Sequence, residues 1–187
     1  MHQNQYMEEQ IMNTIEAIHA RFSCRSFSDR MPSDEDLQMI AKAAVAAPSA
    51  MNQQSWRVIV VKNQELLAEL EEEAMKNISA LEDKSAYDRI MSRSGKVFYN
   101  TPCQIILAMD ANDGKWENLD CGILTQNIAL AATSLGINSL ICGMIRFSFE
   151  GGKEDEFKTR LGFPDGYDIG ISVLLGYAIQ VFVCFLS

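Results

Sequence analysis

The chain has 187 residues, 48% of them hydrophobic, which suits one domain (1–187) with a packed core and excludes disordered and collagen-like classes. Its formal net charge of −9 argues against a nucleic-acid partner, because neutralising phosphates needs a basic face; a local pair of arginines can still make a positive pocket within an acidic surface. The polar, acidic start MHQNQYMEEQ does not have the pattern of a signal peptide, and no apolar run approaches the ~20 residues of a membrane helix. Cys24, Cys103, Cys121, Cys142 and Cys184 lie far apart with no C-x-x-C pair, which predicts reduced core thiols and a cytoplasmic location. His2 and His19 are the only histidines, so no metal site is expected.

Ile11, Ile15, Ile18 and Phe22 recur every three to four residues and predict a helix with one apolar face. Ser33 opens S-D-E-D, an N-cap with an acid three positions on, and Leu37, Ile40, Ala41, Ala44 and Val45 continue the helical period until Pro48 stops it. WRVIVV (56–61) predicts a strand. Asn63 then caps a helix in which Leu66, Leu67, Leu70 and Ala74 face inward and Glu69, Glu71, Glu72 and Glu73 face water. Residues 80–100 are polar and irregular, either a mobile helix or a lid; in them Tyr87, Phe98 and Tyr99 serve as packing or as an aromatic wall.

QIILAMD (104–110) predicts a second strand. Residues 116–135 form a helix apolar on most of its circumference, placed centrally or at a subunit interface and ended by Gly136. INSLICGM predicts a third strand, 154–161 a short helix closed by Gly162, and DIGISVLLGY (168–177) a fourth strand. No G-x-G-x-x-G follows a strand, so a Rossmann fold has no support. The expected class is α+β: a mixed, mainly antiparallel sheet wrapped by helices.

Two stretches carry chemistry. Arg21, Ser23 and Arg25 alternate, so in an extended segment they point one way and make a receptor for an anion; as a helix end, the same arginines would complement the dipole. APSAMNQQSW (47–56) sets a hydroxyl and a row of amides between two apolar elements, as a capped turn or as a surface for a polar, planar ligand. No nucleophile–base pair is visible, so difficult chemistry would fall to an organic cofactor.

In order along the chain, R-x-S-x-R-x-F (21–27), A-P-S-A-x-N-x-Q-x-W (47–56), Y-N-T-P-x-x-I (99–105), the helix D-C-G-I-L-T-Q-N-I (from 120) and I-C-G-M (141–144) resemble the FMN-dependent nitroreductase family over roughly residues 11–178. The resemblance implies a nitroreductase-like α+β fold and an intertwined homodimer with FMN at the subunit interface. It also implies NAD(P)H as co-substrate and a small electron-poor acceptor such as a nitroaromatic or quinone. It places Arg21, Phe22 and Ser23 at the FMN phosphate and ribityl chain and Arg25 at the flavin N1–C2=O edge. Pro48, Ser49, Ala50, Met51 and Asn52 fall in a loop against the partner's flavin, and the backbone at Cys142 and Gly143 falls beside N5. No side chain is needed as an acid or base, since the flavin N5 carries the hydride. Cys142 by itself reads as a small buried residue.

The family's last strand usually leads to a Lys or Arg that reaches back to the FMN phosphate. Here LLGYAIQVFVCFLS carries none, so the apolar tail 178–187 is atypical and weaker FMN retention is expected. Two alternatives stay open: a flavin-fragmenting or reductive dehalogenase chemistry on the same fold, and a flavin-binding or redox-sensing protein with little turnover.

Overall fold

A computed structural model describes residues 12–112 and 116–179. Four strands form its sheet: β1 (Trp56–Val61), β2 (Cys103–Asp110), β3 (Asn138–Cys142) and β4 (Tyr167–Gly176). The order is β1-β2-β4-β3 and every neighbouring pair is antiparallel. The one parallel contact among the described residues is an isolated bridge between Ser23 and Ser139, so the mixed character expected from the sequence is reduced to a single bridge.

β2 is buried along nearly its whole length, which requires cover on both faces of the sheet. Alternate residues point to opposite sides. Ile105 and Leu107 join Leu37, Ile40, Leu124 and Ile128 in one core, under helices α2 (Asp34–Val45) and α5 (Glu117–Ser134). Ile106 joins Leu70, Ile78, Ile145 and Phe157 in a second core, under α3 (Gln64–Ala80), the 3₁₀ segment Gly143–Phe149 and α6 (Glu154–Leu161). The result is an α+β sandwich with helices on both faces.

The caps foreseen in the sequence are present. Ser33 Oγ accepts the Asp36 N–H at 3.1 Å, and Asn63 Oδ1 accepts the Leu66 N–H at 2.9 Å. Gly136 and Gly162 take left-handed conformations (φ 71° and 72°) at the ends of α5 and α6. β3 stops at Cys142, two residues short of the expected end, because the chain turns there into the 3₁₀ segment.

Three expectations are corrected. Helix α1 (Thr14–Ala20) buries only Ala17; Ile15 and Ile18, read as its inward face, are 64% and 46% exposed. Ile11 lies outside the described residues. Val45, counted in the apolar period of α2, likewise faces outward. Residues 80–100 contain the helix weighed for them, α4 (Ser85–Met91), between turns, and Ile90, Val97, Phe98 and Tyr99 pack inward. The Glu71 carboxylate accepts the Phe98 N–H at 2.8 Å and anchors the end of this segment to α3.

Glu73 is the third correction. It is 3% exposed rather than solvated, and its carboxylate accepts from Lys76 Nζ (2.9 Å) and Asn77 Nδ2 (3.3 Å), with Lys153 Nζ 3.8 Å away. Asn77 Nδ2 also donates to the carbonyls of Phe147 and Glu150, so the group ties α3 to the 3₁₀ segment.

The bond from Lys76 holds the Glu73 carboxyl below its ordinary 4.5, against the opposing effect of burial. A carboxyl lowered in the folded state contributes stability that is complete above 4.5 and is lost as pH falls through its folded value. Glu73→Gln is therefore expected to lower stability at neutral pH and to flatten the loss of stability below pH 4.5, read from urea unfolding at stepped pH.

Candidate functional site

Arg21 ends α1 in an extended conformation (φ −61°, ψ 128°), with its N–H still bonded to the Ala17 carbonyl at 3.0 Å. From there the chain runs beside β3. Ser23 bridges Ser139, and the Cys24 N–H donates to the Ser139 carbonyl at 2.9 Å. The period of two expected for residues 21–25 is visible in burial from Phe22 onward, while Arg21 is half-buried like Phe22. Phe22 packs partly buried against the core and Cys24 is buried, whereas Ser23 and Arg25 are exposed. Docking this segment on the free edge of β3 brings Arg25 to the strand's carboxyl end.

A cavity of about 350 Å³ opens at that end, lined by Arg25, Leu140, Cys142, Gly143 and Met144 and walled by Arg89, Arg93, Tyr99 and Arg146. A Cβ built on Gly143 would meet no atom within 4 Å, so the backbone there is open to a ligand. Arg93 Nη1 donates to Tyr99 Oη at 3.4 Å, and the Arg146 guanidinium lies 4.6 Å from the centre of the Phe147 ring. Of the aromatic residues weighed for this wall, Tyr99 lines the cavity, while Phe98 belongs to the core and Tyr87 packs against it.

The Cys142 side chain is 4% exposed, and burial pushes its thiol up to about 11. Cys121 is raised to about 11 and Cys103 to about 12 by the same cause. These thiols stay protonated at neutral pH and are poor nucleophiles. Cys142 is thus the small buried residue that its sequence context suggests.

The structure does not bring residues 48–52 to this cavity. Pro48 follows the end of α2, and Ala50–Asn52 form a short 3₁₀ turn in which Met51 and Asn52, and then Gln54, have positive φ (51°, 56° and 51°). The loop is held from within and from below. Ser49 Oγ accepts the Gln54 N–H at 3.0 Å, and Gln54 Nε2 donates to Asn52 Oδ1 at 3.0 Å. The Ala50 N–H reaches both carboxylate oxygens of Asp120 at 3.3 Å; Asp120 is 2% exposed in the first turn of α5. APSAMNQQSW is therefore a self-capped turn that presents Met51, 83% exposed, and Asn52 at the surface. The segment after Ala178 has a described start only: Ala178 bridges Phe27, and the Ile179 N–H donates to the Ser26 carbonyl at 3.1 Å. The remaining tail, 180–187, lies outside the described residues.

Arg89, Arg93 and Arg146 were not singled out by sequence reasoning. Arg89 and Arg93 carried a signal in their four-residue spacing, which puts two arginines on one side of a helical turn. Arg146 carried none, since its place depends on how the chain turns after β3.

Fold and site together define an α+β protein with a cationic cavity at the carboxyl end of an edge strand. A model of the nitroreductase family matches residues 18–177, and the chain belongs to that family. It is 32% identical over 170 residues to a protein of Archaeoglobus fulgidus whose provisional name is NADH dehydrogenase/NAD(P)H nitroreductase, covering 87% of this chain and 84% of the relative. It is similar to a nitroreductase with bound FMN from Desulfitobacterium hafniense, with 50% identity, a TM-score of 0.90 and coverage of 94% and 95% of the two chains. It is similar also to a nitroreductase with bound FMN from Bacteroides fragilis, with 28% identity, a TM-score of 0.84 and 94% of each chain covered.

Asp120→Ala removes the acceptor for the Ala50 N–H and leaves an apolar gap beneath the loop. It is expected to cost about 1–3 kcal/mol of stability. Limited proteolysis between 48 and 56 should be faster than in the parent, with Asp120→Asn intermediate.

Proposed function

We propose that the protein is an FMN-dependent oxidoreductase that passes electrons from NAD(P)H to small electron-poor acceptors such as nitroaromatics and quinones, as a cytoplasmic homodimer. The observation that carries this reading is the meeting of the Arg25 guanidinium with the unobstructed backbone of Gly143 in one cavity, in a chain 50% identical to a nitroreductase with bound FMN. The residues fit the group. A planar ring that gains negative charge on reduction needs a close backbone approach and a fixed cation, and both are present.

FMN, when bound, supplies two-electron transfer between NAD(P)H and the acceptor. The chain's own part is placement and charge. Arg25 would hold a fixed positive charge against the edge of the ring, and Cys142 and Gly143 would offer it backbone rather than side chain. Arg21 and Ser23 hold the phosphate and ribityl chain, with Phe22 packed behind them. The buried wall of Ile90, Val97 and Leu140 limits water in the cavity.

Pro48, Ser49, Ala50, Met51 and Asn52 serve the flavin of the partner subunit. Two features support this: the loop does not line its own chain's cavity, and the helices leave apolar groups exposed. Ile15, Ile18, Val45 and Leu119 are 64%, 46%, 47% and 57% exposed on α1, α2 and α5, as a surface covered by a second copy would be. Buried free thiols at Cys24, Cys103, Cys121 and Cys142 are consistent with a reducing compartment.

The reading is tested by spectroscopy on the purified protein supplemented with FMN. A retained flavin absorption band that NAD(P)H bleaches under anaerobic conditions is expected; a flavin band that NAD(P)H leaves unchanged would point to a binding protein instead. Gly143→Ala separates site from fold. The added Cβ meets no protein atom, so thermal stability should stay close to the parent's while FMN retention falls.

A further inference from the structure

Four of the chain's eight arginines line the cavity at the end of β3, in a protein of net charge −9. No Asp or Glu lines it. Among the described residues none of these four guanidiniums forms an ion pair, whereas Arg160, elsewhere on the surface, is bonded to both Glu69 and Glu156. Their contacts are weak or neutral: Arg25 to the Ser23 carbonyl at 3.4 Å, Arg93 to the Tyr99 hydroxyl at 3.4 Å and Arg146 to the Phe147 ring. Like charges gathered without counter-charges repel one another, and an anionic ligand removes that cost.

Resting on the flavin reading above, Arg21 faces the FMN phosphate and Arg25 the ring edge, which leaves Arg89, Arg93 and Arg146 without an assigned anion. Arg89 lies on α4 and Arg93 one helical turn further on, four residues apart, so they share a side of that turn; each has a planar donor fork suited to a carboxylate, sulfonate or phosphate. Arg25 and Gly143, where the ring would lie, share one cavity with Arg89 and Arg93, so the charge of an acceptor held by these two arginines must lie close to its reducible group. In NAD(P)H the phosphates are separated from the nicotinamide by a ribose, so the dinucleotide is a poorer match to this cluster.

We propose that the arginine wall selects the acceptor, and that the preferred acceptor is a small conjugated molecule bearing an oxyanion group, with Arg89 and Arg93 as its specificity-determining residues. With 4-nitrobenzoate as probe, the nitro group goes to a hydroxylamine and water, consuming two NAD(P)H and two protons; the carboxylate is unchanged and serves only as the handle.

The test uses the FMN-loaded protein and two non-reducible probes of one shape, benzoate and benzamide, titrated against the flavin absorption spectrum. Benzoate is expected to bind at least about tenfold more tightly, with affinity falling as salt rises. The Arg89→Gln/Arg93→Gln double variant should lose about tenfold or more of benzoate affinity and change little towards benzamide, and the KM for 4-nitrobenzoate should rise relative to that for 4-nitrobenzamide. Arg89→Lys/Arg93→Lys, which keeps the charge, should recover part of the preference. Equal binding of the two probes by the parent would overturn the proposal. So would a double variant that loses FMN, or one in which only the KM for NAD(P)H changes. FMN uptake by the parent is measured before any probe is added, so failure at that step counts against the flavin reading itself.

Discussion

Strand β2 cannot meet water on either face, and much of the molecule follows from that. Its alternating side chains feed two separate cores, so helices must cover the sheet on both sides. With β1 and β4 flanking β2, β3 is left at the edge, and its outer side receives the extended segment after α1 through the Ser23–Ser139 bridge. The same placement forms the cavity. The carboxyl end of β3 has backbone open to a ligand, and the segment docked beside it delivers a cation to the same place.

Electrostatics then distinguish the two ends of the molecule. Around α3 and α6, acidic and basic groups neutralise one another: Glu73 with Lys76 and Lys153, Glu69 with Arg160, Glu71 with Lys96. At the cavity the pattern is reversed, with guanidiniums lacking acidic partners among the described residues. The exposed pairs of the first group contribute little to stability, whereas the buried Glu73 ties α3 to the 3₁₀ segment through Asn77. The second group has a different physical meaning, since an unneutralised cluster is a binding potential directed at whatever anion enters. The overall charge of −9 therefore does not describe the site.

The sequence made legible those features that depend on neighbours in the chain. Caps at Ser33 and Asn63, the period of two from Phe22 to Arg25, the Gly136 stop and the aliphatic run of β2 are local signals, and the structure contains each. Features that depend on distant segments were not legible. Glu73 looked solvated because its neighbours are glutamates; it is buried because the 3₁₀ segment and Lys153 close over it. Ile15 and Ile18 were assigned inward because periodicity locates an apolar face without saying what covers it. Arg146 joins Arg89 and Arg93 only through the turn after Cys142. The 47–56 loop stood between two readings, and the structure gives its mechanics: Asp120, 70 residues away, accepts the Ala50 N–H and holds a turn whose positive φ values are unusual for residues with a Cβ.

The central claim is that the Arg25–Gly143 cavity holds FMN. The most direct measurement is an equilibrium titration of FMN-free protein with FMN, followed by flavin fluorescence, for the parent and for Arg25→Gln. The expected result is saturable binding of one FMN per chain, weakened about ten- to a hundredfold in the variant by loss of a charge-assisted contact. Saturation with equal affinity in the two proteins, or no saturation in the parent, would contradict it.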